Sequence, residues 1–152
     1  MGYPLFRLVY ISRGVRKFDP PALLAMLNTF RAANMQHDIT GMLLYHNRDF
    51  MQLLEGSEKD VLALLKNIES DLRHDSVTVV MRESISERHF THWSMAFRDL
   101  AVPSWTSSPG YSEFLNMPFH AIPFWRTPDK CQELMLNFRA ELLQPCNLDG
   151  KR

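Results

Sequence analysis

Apolar side chains fill most positions between residues 5 and 12, broken by Arg7, and predict a strand buried on both faces, with Phe6, Leu8 and Tyr10 sharing one of them. Asp19 followed by Pro20-Pro21 is a helix start, a carboxylate N-cap ahead of prolines preset for the first turn. Leu23, Leu24, Leu27, Phe30, Arg31 and Asn34 then recur at helical spacing, so Arg31 and Asn34 end an inward-facing stripe. Two apolar runs, 39–45 and 49–55, flank His46-Asn47-Arg48 and predict a hairpin in which Asn47 tolerates a left-handed turn. Ser57 with Asp60 resembles a capping box, and Val61, Leu64, Leu65, Ile68 and Leu72 give a second helix its apolar stripe. A β-branched strand over 76–82 and an alternating one over 93–97, with Trp93, Met95 and Phe97 on one face, complete the order βαββαββ. That order predicts an α+β, ferredoxin-like sheet with two helices on one face and an added strand.

After Asp99 the pattern changes to prolines interleaved with Trp105, Tyr111, Phe114, Phe119, Phe124 and Trp125, a tethered segment anchored by aromatics. Thr127-Pro128 starts a further helix with Cys131, Leu134, Met135, Phe138 and Leu142 on one face, expected to pack on the open face of the sheet. The expected division is therefore a domain over 1–100 and a helical extension over 101–152. At 152 residues and 45% hydrophobic, the chain supports one core and not two domains with separate chemistry. Lysine plus arginine and aspartate plus glutamate number 17 each, so no global basic field exists to hold nucleic acid or an anionic membrane. Cys131 and Cys146 form no CxxC pair, and the N-terminal residues carry no signal pattern, which predicts a soluble protein of a reducing cytoplasm.

The chemistry lies in polar residues at core positions. Tyr10, Gln52 and Asn34 occupy inward-facing places, and a buried amide is costly unless bonded, so Gln52 demands a partner. If both helices cover one sheet face, Arg31 and Asn34 at the end of the first and Ile68, Asp71, Arg73 and His74 at the end of the second border a cleft floored by Tyr10, Gln52 and Met95. Apolar walls with a few aimed polar groups suit a flat heterocycle with an amide-like edge and a polar tail. Plainer readings exist: Tyr10 as a satisfied strand tyrosine, Trp93 and Met95 as core packing, Arg73-His74 as charges complementing a helix C-terminus. His89 and His92 have metal-ligand spacing but no third ligand, and no Walker loop, GxGxxG or nucleophile elbow occurs.

Six segments, in order over about residues 4 to 98, carry a resemblance: Arg7-Leu8-Val9-Tyr10-Ile11-Ser12, Arg31-Ala32-Ala33-Asn34, 39–45 with Gly41, Phe50-Met51-Gln52-Leu53-Leu54-Glu55-Gly56, Asp71-Leu72-Arg73-His74 and 88–95. The chain resembles the BLUF domains, blue-light sensors that use FAD. The resemblance implies FAD between the two helices, with Asn34 on the pyrimidine edge and Gln52 reaching N5 and the C4 carbonyl. Asp71 would hold the ribityl chain, and Arg73 and His74 the polar edge and tail. Ile39, Phe50 and Ile68 would pack on the ring, with Arg31, Leu54 and Leu65 among the cofactor-binding residues. It also implies that Tyr10 bonds Gln52 and donates to the excited flavin, that light rewrites the hydrogen bonds with a small red shift, and that Met95 and Trp93 relay the change. Ala33 departs from the family, many of whose members have a polar residue there. The extension resembles that of short BLUF proteins, in which two C-terminal helices cap the sheet and the signal passes to a separate protein, sometimes through homo-oligomers. Such a chain is a photosensor without enzymatic output. A ferredoxin-like binding module without photoactivity and a small hydrolase are the alternatives, and either would be colourless.

Overall fold

The computed structural model describes residues 4–15, 20–46, 48–90, 92–97, 121–124 and 126–143. Its elements run β1 (Leu5–Gly14), α1 (Pro20–Gln36), β2 (Thr40–His46), β3 (Asp49–Ser57), α2 (Glu58–Glu69), β4 (His74–Ile85), β5 (Trp93–Phe97) and α3 (Lys130–Leu143). The five strands form one sheet in the order β4-β1-β3-β2-β5. All pairs are antiparallel except β2 with β5, which is parallel. This is the predicted α+β arrangement, two crossovers that each skip a strand, plus an added edge strand.

Alternation along β1 and β3 divides the apolar residues between two layers. Phe6, Leu8, Tyr10 and Leu54 join Ile39, Val61 and Leu65 on the side of α2. Val9, Met51 and Leu53 join Leu44, Ile122, Cys131 and Met135 on the side of α3. A sheet wrapped on both faces explains why β1 reads as a nearly continuous apolar run. The face predicted for α3 is the one it buries, through Cys131 and Met135, with Leu134 and Phe138 partly buried; the side chain of Leu142 lies outside the described residues. Cys131 is 1% exposed, and burial pushes its thiol up to about 12, so it is a packing residue.

Several boundaries differ from those predicted. β4 is longer than 76–82 because it pairs with nearly the whole of β1, accommodated by two register shifts. The second helix stops at Glu69 and does not reach Leu72: Ser70 caps it and the Asp71 carboxylate captures the Arg73 backbone N–H at 2.9 Å, turning the chain out of the helix. Leu72 is consequently 89% exposed. In the β2–β3 hairpin Arg48 has the positive φ, 81°, held by its Nε donating to Gly14 O; Asn47 lies outside the described residues. α3 begins at Lys130 and not at Pro128, because Asp129 caps the Gln132 N–H while the Gln132 side chain returns to the Asp129 N–H. The Ser57 cap was predicted correctly, its hydroxyl accepting from the Asp60 N–H. Asp19, Trp105, Tyr111, Phe114, Phe119, Trp125 and Cys146 lie outside the described residues, as does any second C-terminal helix. Gly41 permits the close approach of β2 to β3: at φ 148° an added Cβ would lie 1.7 Å from Leu53 O.

Candidate functional site

A cleft of about 690 Å³, its open mouth included, lies between α1 and α2 above the sheet. Its floor follows from strand register. Tyr10 is opposite Gln52, Gln52 opposite Leu43, and Leu43 opposite Met95, so one transverse row crosses β1, β3, β2 and β5. Tyr10, Gln52 and Leu43 line the cleft with Phe50. The helical wall of α1 is Met26, Phe30, Ala33 and Asn34, which recur at helical spacing. The opposite wall is Leu64, Asn67 and Ile68 of α2, continued by Asp71 and Arg73 beyond its end.

Tyr10 and Gln52 are 3% and 4% exposed, and the phenol hydroxyl donates to Gln52 Oε1 at 2.5 Å. The polar strand residue thus has its partner, one position across the ladder. Burial, and secondly the Asp71 carboxylate, push the phenol above its ordinary value of 10.0, so Tyr10 is a neutral hydroxyl throughout the physiological range. With Oε1 committed to Tyr10, the Gln52 amide has its amino group left to donate elsewhere.

Asn34 is 2% exposed, and its Nδ2 has no partner among the described residues. An unpaired buried donor costs about 1–3 kcal/mol, so its presence on the cleft wall points to a bound acceptor. At the rim, Arg73 grips Asp71 through Nε and NH2, the latter 2.7 Å from Oδ2, and this pairing, against partial burial, raises the guanidinium above its usual value. The same guanidinium lies 5.3 Å from the centre of the Phe30 ring, joining the end of α2 to α1 across the opening.

Of the residues singled out from sequence, Tyr10, Asn34, Phe50, Gln52, Ile68, Asp71 and Arg73 meet in this cleft. Ile39, Leu54 and Leu65 do not line it; their side chains are consumed in the packed cluster with Phe6, Leu8 and Val61. Arg31 lies off the cleft wall, its Nε buried without a partner among the described residues. His74 is the first residue of β4, opposite Gly14, and Trp93 and Met95 are on β5, but the side chains of all three lie outside the described residues. His89 meets Asp129 at 3.2 Å, and no group of three or more metal-ligating side chains occurs among the described residues. Met26, Phe30, Leu43, Leu64 and Asn67 were not foreseen as site residues, and Ala33 only as a departure from the family; the repeat of Met26, Phe30 and Ala33, and of Leu64, Ile68 and Asp71, was the available signal.

Residues 5–96 match a family model described as BLUF, sensors of blue-light using FAD. The β subunit of the photoactivated adenylate cyclase of Euglena gracilis is 37% identical over 92 residues, 60% of this chain and 11% of that protein. The blue light- and temperature-regulated antirepressor BluF of Escherichia coli is 32% identical over 99 residues, 64% of this chain and 24% of that protein. The chain thus spans a quarter or less of these relatives. A dark-state structure of BlrB, a BLUF protein, superposes with a TM-score of 0.61 at 26% identity, covering 91% of this chain and 98% of that one.

Proposed function

The chain belongs to the BLUF family, the sensors of blue light that use FAD, and from that premise we propose that its flavin lies in the cleft between α1 and α2. The observation that carries the reading is the buried Tyr10–Gln52 pair on the cleft floor, facing an Asn34 amide that has no partner within the described chain. The fit is chemical as well as spatial: an unpaired donor, a switchable amide and apolar walls suit a planar ring with carbonyl acceptors on one edge. Asn34 would donate to that edge, Gln52 would donate through Nε2, and Phe50 and Ile68 would flank the ring. Asp71, Arg73 and His74 would meet the polar tail, with Arg31 outside the immediate contact. FAD, when bound, supplies absorption of blue light and an electron-accepting excited state.

The rest falls to the protein. A buried neutral phenol with a raised pKa does not release a proton on its own, so Tyr10 gives up its proton only together with an electron. The hydrogen bond directs that proton to Gln52 Oε1. An amide that receives it can exchange which of its ends donates and which accepts, by rotation or tautomerism, and once an electron and a proton have returned to Tyr10 a changed hydrogen-bond pattern is left with no net redox change. Met95, in the same transverse row, and Trp93 on the same strand would relay the change through β5.

The family's outputs are varied, as a cyclase subunit and an antirepressor among its members illustrate. For this chain we favour an intracellular sensor without catalysis of its own, signalling as a homo-oligomer to a separate protein. A formal net charge of zero fits neither nucleic-acid nor membrane-surface binding. The cleft assignment is tested by Ala33→Trp, which enlarges a side chain on the α1 wall of the cleft and leaves Tyr10 and Gln52 themselves unchanged. FAD retained by the wild-type protein should be lost from this variant while the fold persists by circular dichroism. Undiminished uptake would place the flavin elsewhere.

A further inference from the structure

Two side-chain pairs bridge the same two strands on opposite faces. Tyr10 and Gln52 are partners in the β1–β3 ladder on the cleft face. Three positions along, Arg7 and Glu55 are partners too, about 10 Å away by strand rise. An odd offset turns their side chains to the other face, the one covered by α3. Arg7 is 4% exposed and Glu55 0%, with Arg7 NH2 2.7 Å from Glu55 Oε2.

Glu55 is fully engaged. Its Oε1 accepts from the backbone N–H groups of His89 and Phe90, at 2.9 and 3.0 Å, while Oε2 accepts from Arg7 Nε at 2.8 Å. One carboxylate therefore fixes the segment that leads into β5. Arg88 reinforces it, donating to Glu55 O, Thr40 Oγ1 and Asp38 O. From the same segment the His89 ring reaches out, Nδ1 lying 3.2 Å from Asp129 Oδ2. Asp129 in turn caps the first turn of α3 through its other oxygen. A displacement of Glu55 would take the acceptor away from the part-buried backbone donors of His89 and Phe90, which favours movement of residues 88–90 with it.

We propose that Glu55 is a coupling residue: the Arg7–Glu55 pair follows the alignment of β1 and β3 set by Tyr10–Gln52, and the His89–Asp129 contact passes the displacement to the first turn of α3. The route leaves the cleft through the back of the sheet and joins α3 without passing along β5. It rests on the photosensory reading above and adds to it an exit for the signal.

The test is hydrogen exchange of the full FAD-loaded chain, dark and under blue light, in wild type, His89→Ala and Glu55→Gln. His89→Ala removes the ring but leaves the backbone N–H that Glu55 holds. The expected result is a light-dependent change over 130–143 in wild type that disappears in His89→Ala, whose red shift and dark-state exchange stay as in wild type. Glu55→Gln should behave likewise, and His89→Ala decides alone if that buried change prevents folding. A light-dependent change in α3 that persists in His89→Ala, or is absent from a wild type that shows its red shift, overturns the coupling and leaves the photosensory reading intact. A wild type without any red shift overturns the reading itself, and the coupling with it.

Discussion

Replacing Asn34 by leucine should push the ligand-free and flavin-bound proteins in opposite directions. In the ligand-free protein the substitution removes a donor that is buried and unpaired within the described chain. Leaving such a group unsatisfied costs about 1–3 kcal/mol, and leucine adds roughly half a kcal/mol of helix propensity over asparagine. Allowing for imperfect packing of a branched side chain at a position only 2% exposed, the ligand-free variant should be more stable by about 1 kcal/mol. With FAD bound the donor of the wild type is satisfied, and its loss costs about 1 kcal/mol. The two effects add in the binding cycle to about 2 kcal/mol, a Kd increase of roughly thirtyfold. Urea unfolding of both proteins with and without FAD, together with titration by flavin fluorescence, measures all four corners. A ligand-free variant destabilised by more than about 2 kcal/mol would show that the amide is satisfied without flavin; an unchanged Kd would show that Asn34 does not meet it.

Tyr10→Phe should keep FAD bound, since the ring packing survives, but abolish the light-induced red shift; Gln52→Leu should do the same by deleting the amide that receives the hydroxyl proton. A normal red shift in either would remove that residue from the donor chain. Because burial and then Asp71 raise the Tyr10 phenol, the folded protein holds its proton more tightly than the unfolded chain. Its contribution to stability is complete below pH 10.0 and is lost as pH rises from there toward the higher folded value, so the red shift should persist at pH 10. Half-loss of its amplitude at pH 10, with the fold intact, would mean an ordinary, unburied phenol. Gly41→Ala forces a Cβ to within 1.7 Å of Leu53 O and should cost more than about 3 kcal/mol, read as failure to accumulate soluble protein or as a collapsed melting temperature.

Element order was legible in the sequence because it rests on local pattern: apolar runs in β1, β2 and β3, alternation in β5, and helical spacing in α1 and α2. Tyr10, Gln52 and Asn34 stood out because polar groups at apolar positions are anomalies that call for a partner. Arg7 and Glu55 belonged to the matched segments but carried no role, since their meaning depends on the β1–β3 register, a nonlocal pairing that no single segment encodes. Leu72 was misassigned because the helical spacing continues past Ser70, and only the Asp71 side chain bonding the Arg73 N–H reveals where the helix gives way. Ile39, Leu54 and Leu65 were expected among the cofactor-binding residues; they do not line the cleft and sit in the packed cluster with Phe6, Leu8 and Val61. Inward-facing residues on strands and helices can serve either the cleft or the core beneath it, and the choice is made by how the layers close.

The central claim, a flavin read by the Tyr10–Gln52 pair, is tested most directly by one absorption spectrum of the FAD-loaded protein taken before and after blue light. The expected result is a flavin spectrum that shifts to the red on illumination and returns in the dark. A protein that takes up no flavin, or a flavin spectrum that does not change with light, would contradict the account.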